Sequence, residues 1–396
     1  MRRGATNDKS LLYVSELVLD RHLHRTANLE ILRHLANRGF DVELCATRSR
    51  GRYSTDDLKV FCIPLRFAPP FHFIFYSVIM LLFLPIYVLA KKPRFILTDQ
   101  GPWILAFLWK PLLSRCTGVK VILDIRSTPV EVHGFQMAVK DFFFKLSVII
   151  AKRMFDGITA ASTLMRDDIA ASFQINPDDI GVWPNGAAIE LFDPAKYVAE
   201  GALLRQSLGL TNSFTVLYHG VVSLHRGLTE SVLSVEMLEK GKYDDVILFI
   251  LGSGPAMLAI RQLVKERGLQ DRVIFHDAVH YNDVPKYIAM ADVGLVPLPN
   301  LPDWVHQCPL NLLELLAMKK PVILTDIPCN RGIVGTNKCG TYVKDADPKE
   351  LAQAISFLHD NRKMLEEWRA QGRSIVEQKF TWNASAKSLE DYLIGL

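Results

Sequence analysis

The sequence predicts an α/β protein of two doubly wound domains, each built on a parallel sheet. Length is the first observation, because 396 residues exceed the size at which a single core stops growing, so two domains of about 200 residues each are expected. Throughout the chain, short apolar runs alternate with helix-length segments, the pattern of βαβ units. After Pro194 that alternation weakens into a polar stretch, 195–213, which reads as an inter-domain connection before a second strand and helix series starts.

In the first half the series runs LLYV (11–14), a helix over 26–38, DVELCAT (41–47), FCIPL (61–65), a long apolar helix, RFILTD (94–99) and VKVILDI (119–125). Asp124 ends the last of these strands, which places the loop 126–129 at the carboxyl edge where α/β folds bind ligands. The aromatic-rich segment 136–150 has Lys140, Lys145, Lys152 and Arg153 on or beside it and suits an anionic surface. The second half reads FTVLYHG, VILFILG, RVIFHD, VGLVPL and PVILTD as strands, with the last helices between 348 and 396. There is no internal repeat.

Residues 73–90 (FIFYSVIMLLFLPIYVLA) carry no charge and are followed by Lys91 and Lys92. By length this just reaches the transmembrane range. A buried crossover helix is the favoured reading, because a lone span would interrupt a domain that needs helices on both sheet faces. Shallow monotopic insertion is the intermediate case.

Lys and Arg total 46 against 42 for Asp and Glu, a net charge of +4, too small for bulk nucleic-acid binding. The six cysteines form no CxxC pair and no His cluster stands at metal-ligand spacing. Reduced, structural thiols in a cytoplasmic protein are expected. The polar first ten residues run into an apolar strand without the h-region of a secretory signal, which again suggests a cytoplasmic start.

Several segments, taken together, resemble the retaining glycosyltransferases of family 4. They are Trp183-Pro184-Asn185-Gly186 with Leu191-Phe192-Asp193-Pro194, the turn Leu251-Gly252-Ser253-Gly254-Pro255, and Asp271-Arg272-Val273 with Phe275. Val284-Pro285, Tyr287, Ala291-Asp292-Val293 and Pro297 continue the order, and Phe380-Thr381-Trp382 closes it before a helix that crosses back to the first domain. Each match alone is weak and the ordered set is strong. The resemblance implies the GT-B fold, two Rossmann-like domains facing each other across a cleft. It divides the chain into an acceptor domain (1–197), a nucleotide-sugar-binding domain (198–380) and a crossing helix (381–396).

The strongest chemical segment is Gln307-Cys308-Pro309-Leu310-Asn311-Leu312-Leu313-Glu314. Pro309 suits the first turn of a helix, so the amides near Leu310 to Leu312 can point at a diphosphate. Glu314, one turn in, can accept hydrogen bonds from both hydroxyls of a ribose, the role the resemblance assigns it. A helix-start carboxylate favoured by the macrodipole is the structural reading, worth only about 0.3 to 1 kcal/mol. The family pattern has two glutamates eight positions apart, and His306 replaces the first; a branch reading P-x-K-x-x-E has Asn311 in place of its lysine. The second constellation is 219–228, HGVVSLHRGL. Family members place two cations on the donor diphosphate there. Val221 has lost the first, while Arg226, framed by Gly220 and Gly227, supplies the second with a planar fork suited to phosphate. Gly252 allows a close backbone approach. Val279 lies where relatives contact the nucleobase through backbone groups.

On the acceptor side Arg21, His22, His24 and Arg25 form a basic cluster that either meets an anionic acceptor such as a lipid phosphate or is a charged helix start. The loop from Asp124 to Glu131 resembles the D.RD..PE loop of one family branch, one residue shorter and with Ser127 for Asp, which makes Asp124 and Arg126 site candidates. The family implies retention, with the leaving diphosphate taking the acceptor proton while Arg226 and helix amides stabilise its charge. No metal or other cofactor is expected, the nucleotide-sugar being a substrate. Asp345-Ala346-Asp347 matches DxD but precedes Pro348 at a helix start, where Asp caps well. The expected partners are a nucleotide-sugar of UDP or GDP type and a glycan or lipid-linked saccharide, with peripheral contact at the inner membrane face and no nucleic acid. Two alternatives stand beside this: a catalytically silent GT-B subunit that binds a nucleotide or a membrane partner, and a sugar-nucleotide epimerase, against which the closing FTW and PNG segments speak.

Overall fold

The computed structural model describes residues 8–18, 26–48, 58–64, 71–130, 134–238 and 240–396. Arg21, His22, His24 and Arg25, the expected acceptor cluster, lie outside the described residues. In chain order the strands are β1 (Ser10–Val18), β2 (Asp41–Arg48), β3 (Lys59–Pro64), β4 (Phe95–Thr98), β5 (Lys120–Ile125), β6 (Gly157–Ala160), β7 (Ile180–Val182), β8 (Phe214–Val221), β9 (Val246–Ser253), β10 (Val273–His276), β11 (Val293–Val296), β12 (Val322–Thr325) and β13 (Gly340–Val343). The helices are α1 (Thr26–Asn37), α2 (Phe71–Lys91), α3 (Lys110–Thr117), α4 (Gly134–Met154), α5 (Thr163–Phe173), α6 (Val198–Ser207), α7 (Leu228–Met237), α8 (Met257–Glu266), α9 (Val284–Met290), α10 (Pro302–Val305), α11 (Leu310–Ala317), α12 (Pro328–Val334), α13 (Pro348–Asp360), α14 (Arg362–Lys379) and α15 (Trp382–Gly395).

The chain divides into two compact units, 1–184 with 382–396, and 185–381. The first holds a seven-stranded sheet in the order β3-β2-β1-β4-β5-β6-β7 and the second a six-stranded sheet in the order β10-β9-β8-β11-β12-β13. Every strand pairing is parallel. In both sheets the strand order reverses beside the unit's first strand, where doubly wound folds bind ligands.

In the first unit LLYV and DVELCAT fall within β1 and β2 as read, but β6 and β7 carry no strong apolar signal because each contains a glycine that the packing demands. A Cβ on Gly157 would lie 2.5 Å from the Tyr392 hydroxyl, and one on Gly181 would lie 2.6 Å from its ring. Tyr392 of α15 also accepts from the Ile158 amide at 3.1 Å and donates to the Asp179 carbonyl at 2.9 Å. From the same helix, Glu390 pairs with Lys9 at 2.7 Å and with Arg38. The crossing helix is therefore an integral part of the first unit.

The apolar helix α2 is the β3-to-β4 crossover, but only one stripe of it is buried. Tyr76, Met80, Leu84 and Val88, one per turn, are fully inaccessible and pack in the sheet core. The opposite stripe is exposed. This corrects the expectation of a buried crossover.

In the second unit the expected linker 195–213 is instead structural. It carries α6, which packs on α9, and Arg205 ties that layer together by donating to the Met290 carbonyl at 2.8 Å and to Asp292 at 2.9 Å. Residues 185–197 also belong here, since Ala187 bonds the Phe380 carbonyl at 2.8 Å and Arg373 donates to the Phe192 carbonyl at 2.7 Å. The boundary thus falls at Pro184, thirteen residues before the expected one.

Candidate functional site

The second unit brings together several expected donor residues at the carboxyl end of β8. His219 is the third-last residue of that strand and is 5 % exposed, as is Glu314 on the second turn of α11. Its imidazole Nδ1 stands 3.6 Å from Glu314 Oε2. Burial pushes the Glu314 carboxyl up to about 8, opposed only by the Tyr281 hydroxyl. Burial likewise pushes His219 down to about 4, against the backbone of Asn311. Near neutrality the imidazole is therefore neutral and the carboxyl largely protonated, a poised pair rather than an ion pair. A ribose diol donating into Glu314 would favour its charged form.

Asn311 joins the two elements. Its amide nitrogen lies 3.4 Å from the His219 carbonyl and its oxygen accepts from the Leu312 amide at 3.0 Å. One of the amides expected to face an anion is thus bonded by the side chain that replaces the family lysine. Pro309 sits at the N-cap rather than in the first turn, so Leu310 opens the helix. The loop before it is held by Asn185, whose amide donates to the Cys308 carbonyl at 2.6 Å. The far end of α11 is capped by Arg373, which donates to the Ala317 carbonyl at 2.9 Å. Phe192 and Asn185, both motif residues, are accordingly braces of α11.

Arg226 closes a short 3-10 turn, Leu224–Arg226, after β8. Its guanidinium carbon lies 4.7 Å from the centroid of Trp304, and the Trp304 indole donates to the His225 carbonyl at 2.7 Å. Stacking on an aromatic face fixes the plane of the guanidinium fork. Gly227 follows with φ +70, and a Cβ there would lie 2.0 Å from the Pro297 carbonyl oxygen. Gly252 packs as tightly: its Cβ would lie 1.9 Å from the Gly220 carbonyl oxygen. The GxG turn is explained by this approach of neighbouring strand ends. Val279 lies half-buried in the loop after β10. His306 ends α10.

Both carboxylates of the DxD match serve backbone amides. Asp345 accepts from Asn300 at 3.0 Å and from Ala346 at 2.8 Å, while Asp347 caps α13 through Lys349 at 2.9 Å and Glu350 at 3.1 Å.

In the first unit Asp124 is fully buried and accepts from Thr159 at 2.7 Å and Trp183 Nε1 at 3.0 Å. Arg126 lies over the Trp183 ring, 3.3 Å from its centroid, and donates to the Trp183 carbonyl at 2.7 Å. These two candidates brace the tryptophan that opens the WPNG segment. The strand-end carboxylate that the sequence reading missed is Asp99, beside β4. The Tyr13 hydroxyl lies 2.8 Å from both Asp99 and Asp124. The phenol can donate its one proton to only one of them, so the second contact calls for a proton on the other carboxyl, donated to the phenol oxygen. Burial, with Ser15 opposing and Asp124 adding, raises Asp99 to about 7 and makes it the natural carrier. Its position at the end of RFILTD is the same signal that singled out Asp124.

With this geometry described, comparison with known proteins gives a consistent result. Residues 26–191 match the family described as Glycosyltransferase Family 4, and residues 202–375 match Glycosyl transferases group 1. Among curated relatives, an alpha-D-kanosaminyltransferase of Streptomyces kanamyceticus is 23 % identical over 70 % of this chain and 71 % of its own. A GDP-mannose-dependent phosphatidylinositol monomannoside mannosyltransferase of Mycobacterium tuberculosis is 26 % identical over 62 % of this chain, and the match spans only 64 % of that relative's length. Among solved structures, HepE of Anabaena in complex with UDP superposes with a TM-score of 0.75 at 15 % identity, over 98 % of this chain and 100 % of its own. Sucrose-phosphate synthase of Thermosynechococcus elongatus gives 0.76 at 17 % identity, over 98 % of each. Two tandem matches that between them take in most of the chain, on two Rossmann-like sheets, make this chain a member of the family 4 glycosyltransferases with the GT-B fold.

Proposed function

We propose that the protein transfers a hexosyl group from a UDP- or GDP-type nucleotide-sugar to a hydroxyl of a glycan or lipid-linked saccharide, with retention and without a metal. The observation that carries this is the His219–Glu314–Asn311 cluster, which joins the ligand edge of β8 to the start of α11. Glu314 takes the ribose hydroxyls, and the diphosphate lies between Arg226 and the first turn of α11, where helix amides favour an anion. As the anomeric carbon–oxygen bond breaks, charge grows on the leaving phosphate. Arg226 and those amides stabilise it, and the leaving phosphate accepts the proton of the acceptor hydroxyl as the acceptor's oxygen bonds the anomeric carbon from the same face. Capping by Asp345 and Asp347 supports a site that does not use DxD for a cation. Six free cysteines, four of them buried, fit a reducing compartment such as the cytoplasm.

Incubation with a panel of UDP-, GDP- and ADP-sugars, read by calorimetry and by donor hydrolysis, tests the reading. Saturable binding with slow hydrolysis is expected. The loss of the family's first cation at Val221 and first glutamate at His306 favours one competing reading, a silent subunit. Nucleotide binding without turnover on any lipid-linked or glycan acceptor would establish that instead.

A further inference from the structure

Glycosyl transfer gives no role to the outer surface of the first unit. We propose that the face formed by α2, the Pro102–Trp109 turn and α3 seats the protein on a membrane surface bearing anionic headgroups, with α2 lying in the interfacial plane. This inference goes beyond the transfer reaction and is tested separately from it.

The helix is apolar on both sides, although its inner stripe already fills the sheet core. Outward, Ile74, Val78, Leu82, Ile86 and Leu89 recur once per turn, with Leu82 67 % and Ile86 69 % exposed. α2 packs against the Pro102–Trp109 turn and α3, and the stripe continues there through Leu108, Trp109 and Leu112, each at least 45 % exposed. An apolar face of that extent is unusual on a soluble surface and marks an interaction site.

Charge selects the partner. Between residues 71 and 118 the one acidic residue is Asp99, which is engaged with Tyr13 and Ser15. Lys91, Lys92, Arg94 and Arg115 are all exposed, and they stand at the end of the apolar stripe or on the adjoining elements. Apolar side chains beside cations, with the neighbouring exposed carboxylate Asp41 already paired with Lys59 at 2.6 Å, match an acyl boundary under anionic headgroups. A two-fold pairing of this face with a second copy would set the cations near one another.

The inner contacts decide between lying and crossing. Tyr76 donates to the Ser15 carbonyl at 2.9 Å and meets Trp103 edge to face at 5.4 Å. Its companions on that stripe are fully inaccessible. A spanning α2 would have to abandon all of these, whereas an interfacial α2 keeps them.

Flotation of the full-length protein with phosphatidylcholine vesicles, with and without phosphatidylglycerol, tests the proposal. Wild type is expected to float with the phosphatidylglycerol vesicles and to be released by alkaline carbonate. Leu82→Glu with Ile86→Glu is expected to cut the bound fraction by about tenfold or more, with circular dichroism, melting temperature and nucleotide binding unchanged. Lys91→Glu with Lys92→Glu is expected to abolish the preference for anionic vesicles. Wild type that stays with free protein at low salt overturns the proposal, as does a double glutamate variant that floats like wild type. Resistance to carbonate would establish a span, and a dimer dissociated by the glutamates would establish a protein interface; either outcome overturns it. Nucleotide binding is measured without vesicles, so failure here leaves the transfer reading intact.

Discussion

Glu314→Gln separates what burial does to this carboxyl from what it does for a ligand. Glutamine keeps the shape and the hydrogen-bonding oxygen but cannot ionise. In the folded chain the carboxyl is raised from 4.5 to about 8, so between those values the folded state holds a proton that the unfolded state has released. Stability therefore falls as pH rises through that range, and above it the full penalty on the charged form, roughly 4 to 5 kcal/mol, is in place. His219, lowered from 6.5 to about 4, acts in the opposite direction below 6.5, because there the unfolded state binds the extra proton. The window from 6.5 to 8 isolates Glu314, and across it wild type should lose roughly 2 kcal/mol more than the variant. For a unit of this size that is roughly 4 to 8 °C in melting temperature. Glu16, raised to about 8, and Asp99, raised to about 7, push wild type and variant alike, so the difference between the two pH profiles is the quantity to read. Thermal melts in matched buffers from pH 5 to 9 supply it. A saturating nucleotide should shift wild type strongly and the variant little. Parallel profiles would refute the burial argument, while an equal nucleotide shift in both proteins would refute the ribose assignment.

Arg226→Ala should weaken a nucleoside diphosphate by about ten- to a hundredfold, the scale of a charge-assisted hydrogen bond, and leave a phosphate-free nucleoside unaffected in calorimetry. Asp345→Ala should change neither, and equal losses would defeat the site assignment. Gly252→Ala places a methyl 1.9 Å from the Gly220 carbonyl oxygen and should cost about 3 kcal/mol or more in urea unfolding. Gly268→Ala, with φ +66 and open space around it, should cost only about 1 kcal/mol, and matching losses would contradict the packing account. Glu390→Gln should destabilise by about 1 to 3 kcal/mol at neutral pH. Lys9 and Arg38 hold that carboxyl below its usual 4.5, so its contribution is present above that value and lost as pH falls, and the gap between variant and wild type should close in acid.

Much of the fold was legible because parallel strands buried on both faces read as unbroken apolar runs. VILFILG and PVILTD are of that kind. β6, β7 and β13 were not, since each is short and contains a glycine whose missing side chain makes room for a neighbour, Tyr392 of α15 for Gly157 and Gly181 and Val322 of β12 for Gly340, a requirement no local pattern carries. α6 escaped notice because its stabilisation comes from Arg205 and Gly201 packing on α9 rather than from an apolar stripe. In the donor half, Glu314 was readable because the helix start around it is local. His219 was quoted with its segment but given no task, for its neighbour Glu314 stands 95 residues away. Asp124 and Arg126 were read as site candidates at the carboxyl edge of a strand, whereas Trp183, returning from another strand, engages both.

The order in which the chain emerges during synthesis gives α15 a further meaning. Residues 185–381 form the second unit without interruption, so that unit can fold as soon as it has been made. The first unit is made earlier but lacks the ring that fills the space above Gly157 and Gly181, and the carboxylate that ties Lys9 to Arg38, until α15 follows. The two glycine-bearing strands stay uncovered on that face while nearly two hundred further residues are added. Transiently exposed apolar surface invites non-native association, so translation speed through the second unit sets how long the first is at risk.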